Sequence, residues 1–193
     1  MHEVLVITMK VTLLGDSIRM IGYGDRIPAL LGDSFTVWQP NDNGRFAQYT
    51  LRGLFDWAND MEGSDIVHWN NGLWDVCNLF GDGLFTPVDV YVDTMVRIAK
   101  ILLSRYKKVI FATTTPVTED NPHNKNEDII MLNAAVVPRL KELGVIINDL
   151  HATVYPHIDT YIRSDDKIHL TEEGIDVCAK QVADIILKTA ETL

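Results

Sequence analysis

Short, almost unbroken apolar runs alternate along this chain with longer stretches whose apolar positions recur every three or four residues. The runs cover residues 11–14, 35–38, 65–69, 108–114 and 145–150, and they are rich in Val, Ile, Phe and Trp, which favour strands. Between them, residues 47–60 place Leu51, Leu54, Phe55 and Ala58 near helical spacing. Residues 88–104 put Val92, Met95, Val96, Ala99 and Leu102 on one face. Further helices are expected over 127–143 and 171–192, with Pro87 as the first residue of one and Gly144 at the stop position of another. Residues 18–31 contain Gly22, Gly24 and Pro28, so any helix there is short or broken.

Strands that alternate with helices and read as continuous apolar runs indicate an α/β domain with a parallel sheet covered on both faces. Nothing resembles a repeat, a low-complexity tract or an interdomain linker, so the 193 residues read as one domain, with residues 1–9 as an extra arm or strand. In such sheets ligands bind beyond the carboxyl ends of the strands. Ser17, the loop carrying Gly44, and Asn70-Asn71 all follow strands directly.

Charge narrows the partners. Seventeen basic against 27 acidic residues give a net charge of −10, which disfavours a nucleic-acid backbone or an anionic membrane. No apolar stretch is long enough to span a bilayer. The amino-terminal ten residues carry neither a basic leader nor a small-residue cleavage site, so the expected location is the cytoplasm. Cys77 and Cys178 read as two buried, reduced thiols rather than a bridge, and no Cys/His cluster has metal-ligand spacing. No metal or cofactor is expected.

Two segments carry candidate chemistry. In 11–19 an apolar run stops at Gly15-Asp16-Ser17 and a helix-like mixture follows. That junction sets a hydroxyl at the amide-rich start of a helix, where negative charge is favoured. Taken alone it is equally a turn with a helix cap. In 164–174, Asp166 and His169 lie three apart, a spacing at which a carboxylate reaches the imidazole Nδ1–H and leaves Nε2 free to accept a serine proton.

Together these segments resemble the SGNH, or GDSL-type, hydrolase superfamily of serine esterases and lipases, over essentially the whole chain from Lys10 onward. The resemblance implies a flavodoxin-like, three-layer α/β/α fold on a five-stranded parallel sheet. It places Ser17 as nucleophile and Asp166 and His169 as its partners. Asn43-Gly44-Arg45-Phe46 falls at the second block, which makes the Gly44 N–H an oxyanion donor beside that of Ser17. The third block departs from the family's Gly-x-Asn-Asp, for the chain reads His68-Trp-Asn-Asn-Gly-Leu-Trp-Asp75. One register puts Asn70-Asn71 on the Asn-Asp positions, and the other puts Trp74 where Asn belongs. An Asn side chain, either Asn71 or Asn70, is the expected third donor.

The implied activity is hydrolysis of carboxylic esters through an acyl-enzyme. A short acyl group, such as acetyl on a carbohydrate, suits a chain without a visible lid-length insertion. The substrate partner is then a small-molecule or carbohydrate ester. A catalytically silent binding module on the same fold and an acyltransferase are the alternatives. Of the neighbours, Asp16 reads as a turn or packing residue, Arg19 and Arg45 as cations that hold loops by ion pairs or contact a polar substrate, His68 as a core histidine, and Trp69 and Trp74 as pocket wall or core.

Overall fold

The computed structural model describes residues 8–193. Among these residues five strands, β1 (Met9–Leu14), β2 (Phe35–Trp38), β3 (Ile66–Asn70), β4 (Lys108–Ala112) and β5 (Ile146–Asn148), form one sheet in the order β2-β1-β3-β4-β5. Every pairing is parallel; Leu13 faces His68, and His68 faces Ile110 across the centre. All five residues of β3 are buried, as a central strand between two helical layers requires. The expected arm or strand at 1–9 lies outside the described residues up to position 7, and Met9 opens β1.

Among the described residues eight α-helices occur in chain order: α1 (Ile27–Leu31), α2 (Ala47–Asp56), α3 (Ala58–Met61), α4 (Val88–Arg105), α5 (Asn126–Glu142), α6 (Leu150–Val154), α7 (Ile158–Tyr161) and α8 (Glu172–Ala190). Helices α2, α4 and α5 pack side by side in one layer, and α1, α6 and α7 gather around α8 in the other. Thus the three-layer α/β/α arrangement is present, with Val11, Leu13, Ile66, Val109 and Phe111 among the core residues. No helix among the described residues is long and apolar enough to cross a membrane.

Local chemistry explains where the boundaries fall. The helix expected over 47–60 breaks at Trp57 (φ −96°, ψ 6°), whose indole folds back over Gly53; a Cβ there would lie 2.3 Å from the ring. Pro87 sits just before α4 rather than inside it. Thr171 caps α8 by accepting the Gly174 N–H at 3.1 Å, and Glu172 and Glu173 occupy its first turn beside the positive end of the dipole. Residues 18–31 hold a π-type turn (Arg19–Tyr23), a 3₁₀ turn and α1, with the break at Gly22. The short helices α6 and α7 carry no apolar periodicity long enough to be read in advance.

The expectation of a chain without a lid-length insertion is corrected by the connection between β3 and α4. Residues 71–87 connect β3 to α4 with neither helix nor strand and expose Trp74, Leu79, Phe80 and Phe85. Connections of about this length in compact domains are commonly binding loops or lids. Its arms are tied by Phe85 N–H to Cys77 O (2.7 Å) and Thr86 N–H to Asp75 O (2.9 Å). Periodicity does not reveal such a segment, because it has none.

Candidate active site

β1 delivers Gly15-Asp16-Ser17 to the carboxyl edge of the sheet. Gly15 has φ 152°, and a Cβ on it would fall 2.0 Å from Asn70 Oδ1, so this close approach to β3 requires glycine. The Asp16 carbonyl accepts the N–H groups of Arg19 (3.2 Å) and Met20 (3.0 Å), starting a helical turn that has Ser17 at its head. Amides at such a start have no partner within the helix and point outward.

From the other end of the chain, residues 163–169 close into a turn. Arg163 N–H donates to His169 O (2.8 Å) and Lys167 N–H to Arg163 O (3.0 Å). Lys167 takes φ 66°, and its carbonyl is held by Thr118 N–H (3.2 Å) and Asn121 Nδ2 (3.0 Å). Only one other non-glycine residue among the described residues has positive φ: Arg45 (47°), beside Gly44. Both strained positions thus lie in loops next to Ser17, the kind of place where backbone strain concentrates.

The turn brings His169 Nε2 to 2.8 Å from Ser17 Oγ and His169 Nδ1 to 2.9 Å from Asp166 Oδ2. A carboxylate can only accept, so Nδ1 carries the proton and Nε2 is left to accept from the serine hydroxyl. Asp166 Oδ1 also accepts the backbone N–H groups of Ile168 (3.1 Å) and His169 (3.0 Å). Burial pushes the Asp166 carboxyl up, but the hydrogen bonds from His169 and Ile168 outweigh it and hold the group below the usual carboxylate range. Asp165 instead pairs with Arg163, through oxygens 2.9 and 2.5 Å from the guanidinium, and is pulled down to about 2. Asp166, not Asp165, holds the imidazole.

The expected oxyanion donors are all nearby, each already engaged except Ser17, whose N–H heads the helical turn. The single N–H of Gly44 donates to Gly15 O at 2.8 Å, and a Cβ at Gly44 would meet that oxygen at 2.7 Å. In this arrangement Gly44 clasps the second loop to the serine loop. Asn70 Nδ2 donates to Asp16 Oδ1 (2.7 Å), and Asn70 Oδ1 accepts from Tyr23 OH (2.9 Å). Asn71 Nδ2 donates to Arg45 O (2.9 Å), while its Oδ1 is buried without a partner. An amide NH₂ has two protons, so each asparagine retains one. Trp74 is 41% exposed, whereas both asparagines are buried at the strand end.

Among the residues that support the site, Arg19 and Asp16 are read from sequence as loop-holding and packing residues, whereas Tyr23 and Asp75 escape sequence reasoning. Arg19, 1% exposed, donates to Gly15 O (3.2 Å), Pro40 O (2.9 Å) and Asp42 O (2.5 Å), and so fastens the serine loop to the loop after β2. Asp16 is fully buried; burial drives it up to about 6 although Ile18 N–H and Asn70 oppose the shift. Asp75 is buried too, and burial lifts it to about 7 against the hydrogen bonds from Ala47 N–H, 3.1 and 3.0 Å from its two oxygens, at the start of α2. No spacing rule links Tyr23 or Asp75 to Ser17; only the fold does.

His68 is a core histidine. Its Nε2 accepts from Asn148 Nδ2 at 3.1 Å, Asn148 Oδ1 being taken by Gln181 (2.7 Å), and burial drops its pKa to about 3. Cys77 and Cys178 are buried free thiols, and no cluster of His, Cys, Asp or Glu suited to a metal occurs among the described residues. Beside His169 opens a cavity of about 320 Å³ with Ile21, Leu170 and Ile175 as its apolar lining and Arg163 and Glu172 as its charges.

No family model and no curated protein matches the sequence. Solved structures do match. A lipase/acylhydrolase from Enterococcus faecalis superposes with a TM-score of 0.77 at 19% identity, covering 93% of this chain and 95% of its own. An acetyl xylan esterase gives 0.74 at 20% identity, covering 94% and 99%. An acetylxylan esterase from Geobacillus stearothermophilus gives 0.73 at 16% identity, covering 92% and 94%. With the sheet order and layers described above, this likeness means that the chain has the three-layer fold of the SGNH hydrolases.

Proposed function

We propose that this protein is a serine esterase in which Ser17, His169 and Asp166 act as a triad. The observation that carries the reading is the unbroken line Ser17 Oγ to His169 Nε2 (2.8 Å) and His169 Nδ1 to Asp166 Oδ2 (2.9 Å). The names of the structural neighbours, acylhydrolase and acetylxylan esterases, support it. Ser17 Oγ attacks the ester carbonyl as His169 takes its proton; the imidazolium is stabilised by Asp166 and protonates the leaving alkoxide. Water then enters, gives its proton to His169 and cleaves the acyl-enzyme, freeing the acid and Ser17. The Ser17 N–H and the spare proton of Asn70 or Asn71 meet the oxyanion, and Gly44 joins them when its bond to Gly15 is exchanged for one to substrate.

The substrate class we favour is a short acyl ester on a sugar. The acetylxylan esterases among the structural neighbours favour acetyl as the acyl group, and the exposed rings of Trp74, Phe80 and Phe85 suit a carbohydrate surface. One observation favours a silent binding module on the same fold: the Gly44 N–H already has an acceptor. Hydrolysis of p-nitrophenyl acetate by wild type and by Ser17→Ala separates the two. A fall of about 10⁴-fold or more is expected for the variant; equal rates would remove Ser17 from the chemistry. Faster turnover of p-nitrophenyl octanoate than of the acetate would instead assign loop 71–87 to a long acyl chain.

A further inference from the structure

The cavity beside His169 has walls from both partners of the proposed proton transfer. Ile21 comes from the π-type turn that follows Ser17, and Leu170 adjoins the imidazole itself. The two walls pack closely: a Cβ on Gly22 would lie 3.7 Å from Leu170 Cδ1. π-type turns are frequent at functional sites, and in this one Ile21 is 55% exposed, four residues after the nucleophile. Ile175, near the start of α8, completes the apolar floor.

Proton transfer says which half of an ester belongs there. His169 Nε2 takes the proton of Ser17 Oγ, 2.8 Å away, and must then deliver it to the departing oxygen. That oxygen therefore also comes within hydrogen-bond reach of Nε2. The alcohol half extends from Ser17 on the imidazole side, where the cavity lies, and the acyl half extends away from it.

The rim describes the alcohol. Arg163 is held by Asp165, with Asp166 at 3.6 Å. Glu172 is held by Arg26, which also pairs with Asp176 at 3.1 Å. Both rim charges thus have counter-ions within the protein, so the rim offers hydrogen-bonding edges rather than a seat for an ion. Covering it with methylenes would strip water from those groups without replacing it. At about 320 Å³ the cavity lies at the small end for ligand sites, which suits a ring rather than a chain. An aliphatic floor under a polar rim matches a pyranose, whose C–H face is apolar and whose edge carries hydroxyls.

We infer, on the esterase reading above, that this cavity is the leaving-alcohol subsite and holds one neutral pyranose ring, with Ile21 as the residue that sets alcohol preference.

Two measurements on the full chain test this. The first needs no chemistry. Saturation-transfer NMR on Ser17→Ala with millimolar methyl β-D-xylopyranoside should show transfer to the ring protons, and adding Ile21→Trp, which fills the cavity, should abolish it. The second is esterolysis. Wild type should cleave at least one monoacetate of that glycoside with a kcat/KM at least ~10-fold above that for ethyl acetate, the scale of a small pocket's contacts. Ile21→Trp should erase that preference, and Ile21→Ala should reduce it through KM. Neither should move the preference between ethyl acetate and ethyl butanoate by more than about twofold, since the acyl half lies elsewhere. Circular dichroism matching wild type keeps folding out of the comparison. If Ile21→Trp shifts the acetate–butanoate preference and spares the glycoside, the cavity takes the acyl half and the inference is overturned. Esterolysis without ring binding also overturns it and leaves the esterase reading standing. Ring binding that Ile21→Trp abolishes, with no ester cleaved by wild type, would overturn the esterase reading and keep the cavity as a pyranose site.

Discussion

Two acidic regions flank Ser17, and the same side chain behaves oppositely in them. In the 163–169 turn, Asp166 is 32% exposed, faces an imidazole and two backbone amides, and is held below its usual range. At the strand ends Asp16 and Asp75 are buried outright and are driven up to about 6 and about 7, and Asp16 Oδ2 has no partner. The balance between donors and lost water decides each case. The first region keeps a charged carboxylate against an imidazole. The second ties loops together with carboxyls that lose their protons only near neutrality.

The sharpest way to break this contrast is to remove the charge from the turn. Asp166→Asn should lower kcat for p-nitrophenyl acetate by roughly 10⁴-fold, because an amide that donates to Nδ1 imposes the wrong tautomer on His169. Asp165→Asn, which removes a carboxylate paired only with Arg163, should change kcat by less than about threefold, on the scale of an exposed ion pair. Similar losses in the two variants would erase the distinction between the neighbours.

At the strand ends the expected effects are smaller. Removing one oxyanion donor typically costs about 10²- to 10³-fold in kcat. Asn70→Ala and Asn71→Ala, each assayed for kcat and KM separately, should divide: the donor variant loses kcat at nearly constant KM, the other keeps it within about tenfold. Tyr23→Phe sharpens the comparison, since it releases Asn70 Oδ1 alone. If Asn70 is the donor, Tyr23→Phe should lower kcat in the same direction; if Asn71 is, it should leave kcat unchanged.

How much of this was legible in the sequence follows the same division. The five strands and four long helices announce themselves because buried parallel strands and amphipathic helices impose periods of their own. Asp166 and His169 are legible because their partnership is local, three residues along one turn. The strand-end pocket is not. Tyr23 reaches Asn70 across 47 positions and Asp75 reaches Ala47 across 28, and contacts of that kind follow from how β1 and β3 pair. Gly44 shows the limit of a motif: its position beside the serine loop was readable, but the acceptor taken by its N–H was not.

The most quantitative test concerns stability. Between about pH 4 and pH 7 the folded chain keeps a proton on Asp75 that the unfolded chain has released. Folding is therefore favoured by this group at low pH, and that contribution is lost as pH rises through about 7. His68 works in the other direction: its folded pKa near 3 lies below the unfolded value of 6.5, so it stabilises above pH 6.5 and loses that contribution as the solution is acidified. The two slopes overlap, so the wild-type curve alone does not reveal either. The difference between Asp75→Asn and wild type does, because His68 cancels. Measured by urea unfolding, the variant should gain on wild type by roughly 1.4 kcal/mol per pH unit across that interval and run parallel to it above pH 8. Parallel curves from pH 4 to 8 would mean that Asp75 is not held protonated, and the contrast with Asp166 would then rest on Asp16 alone.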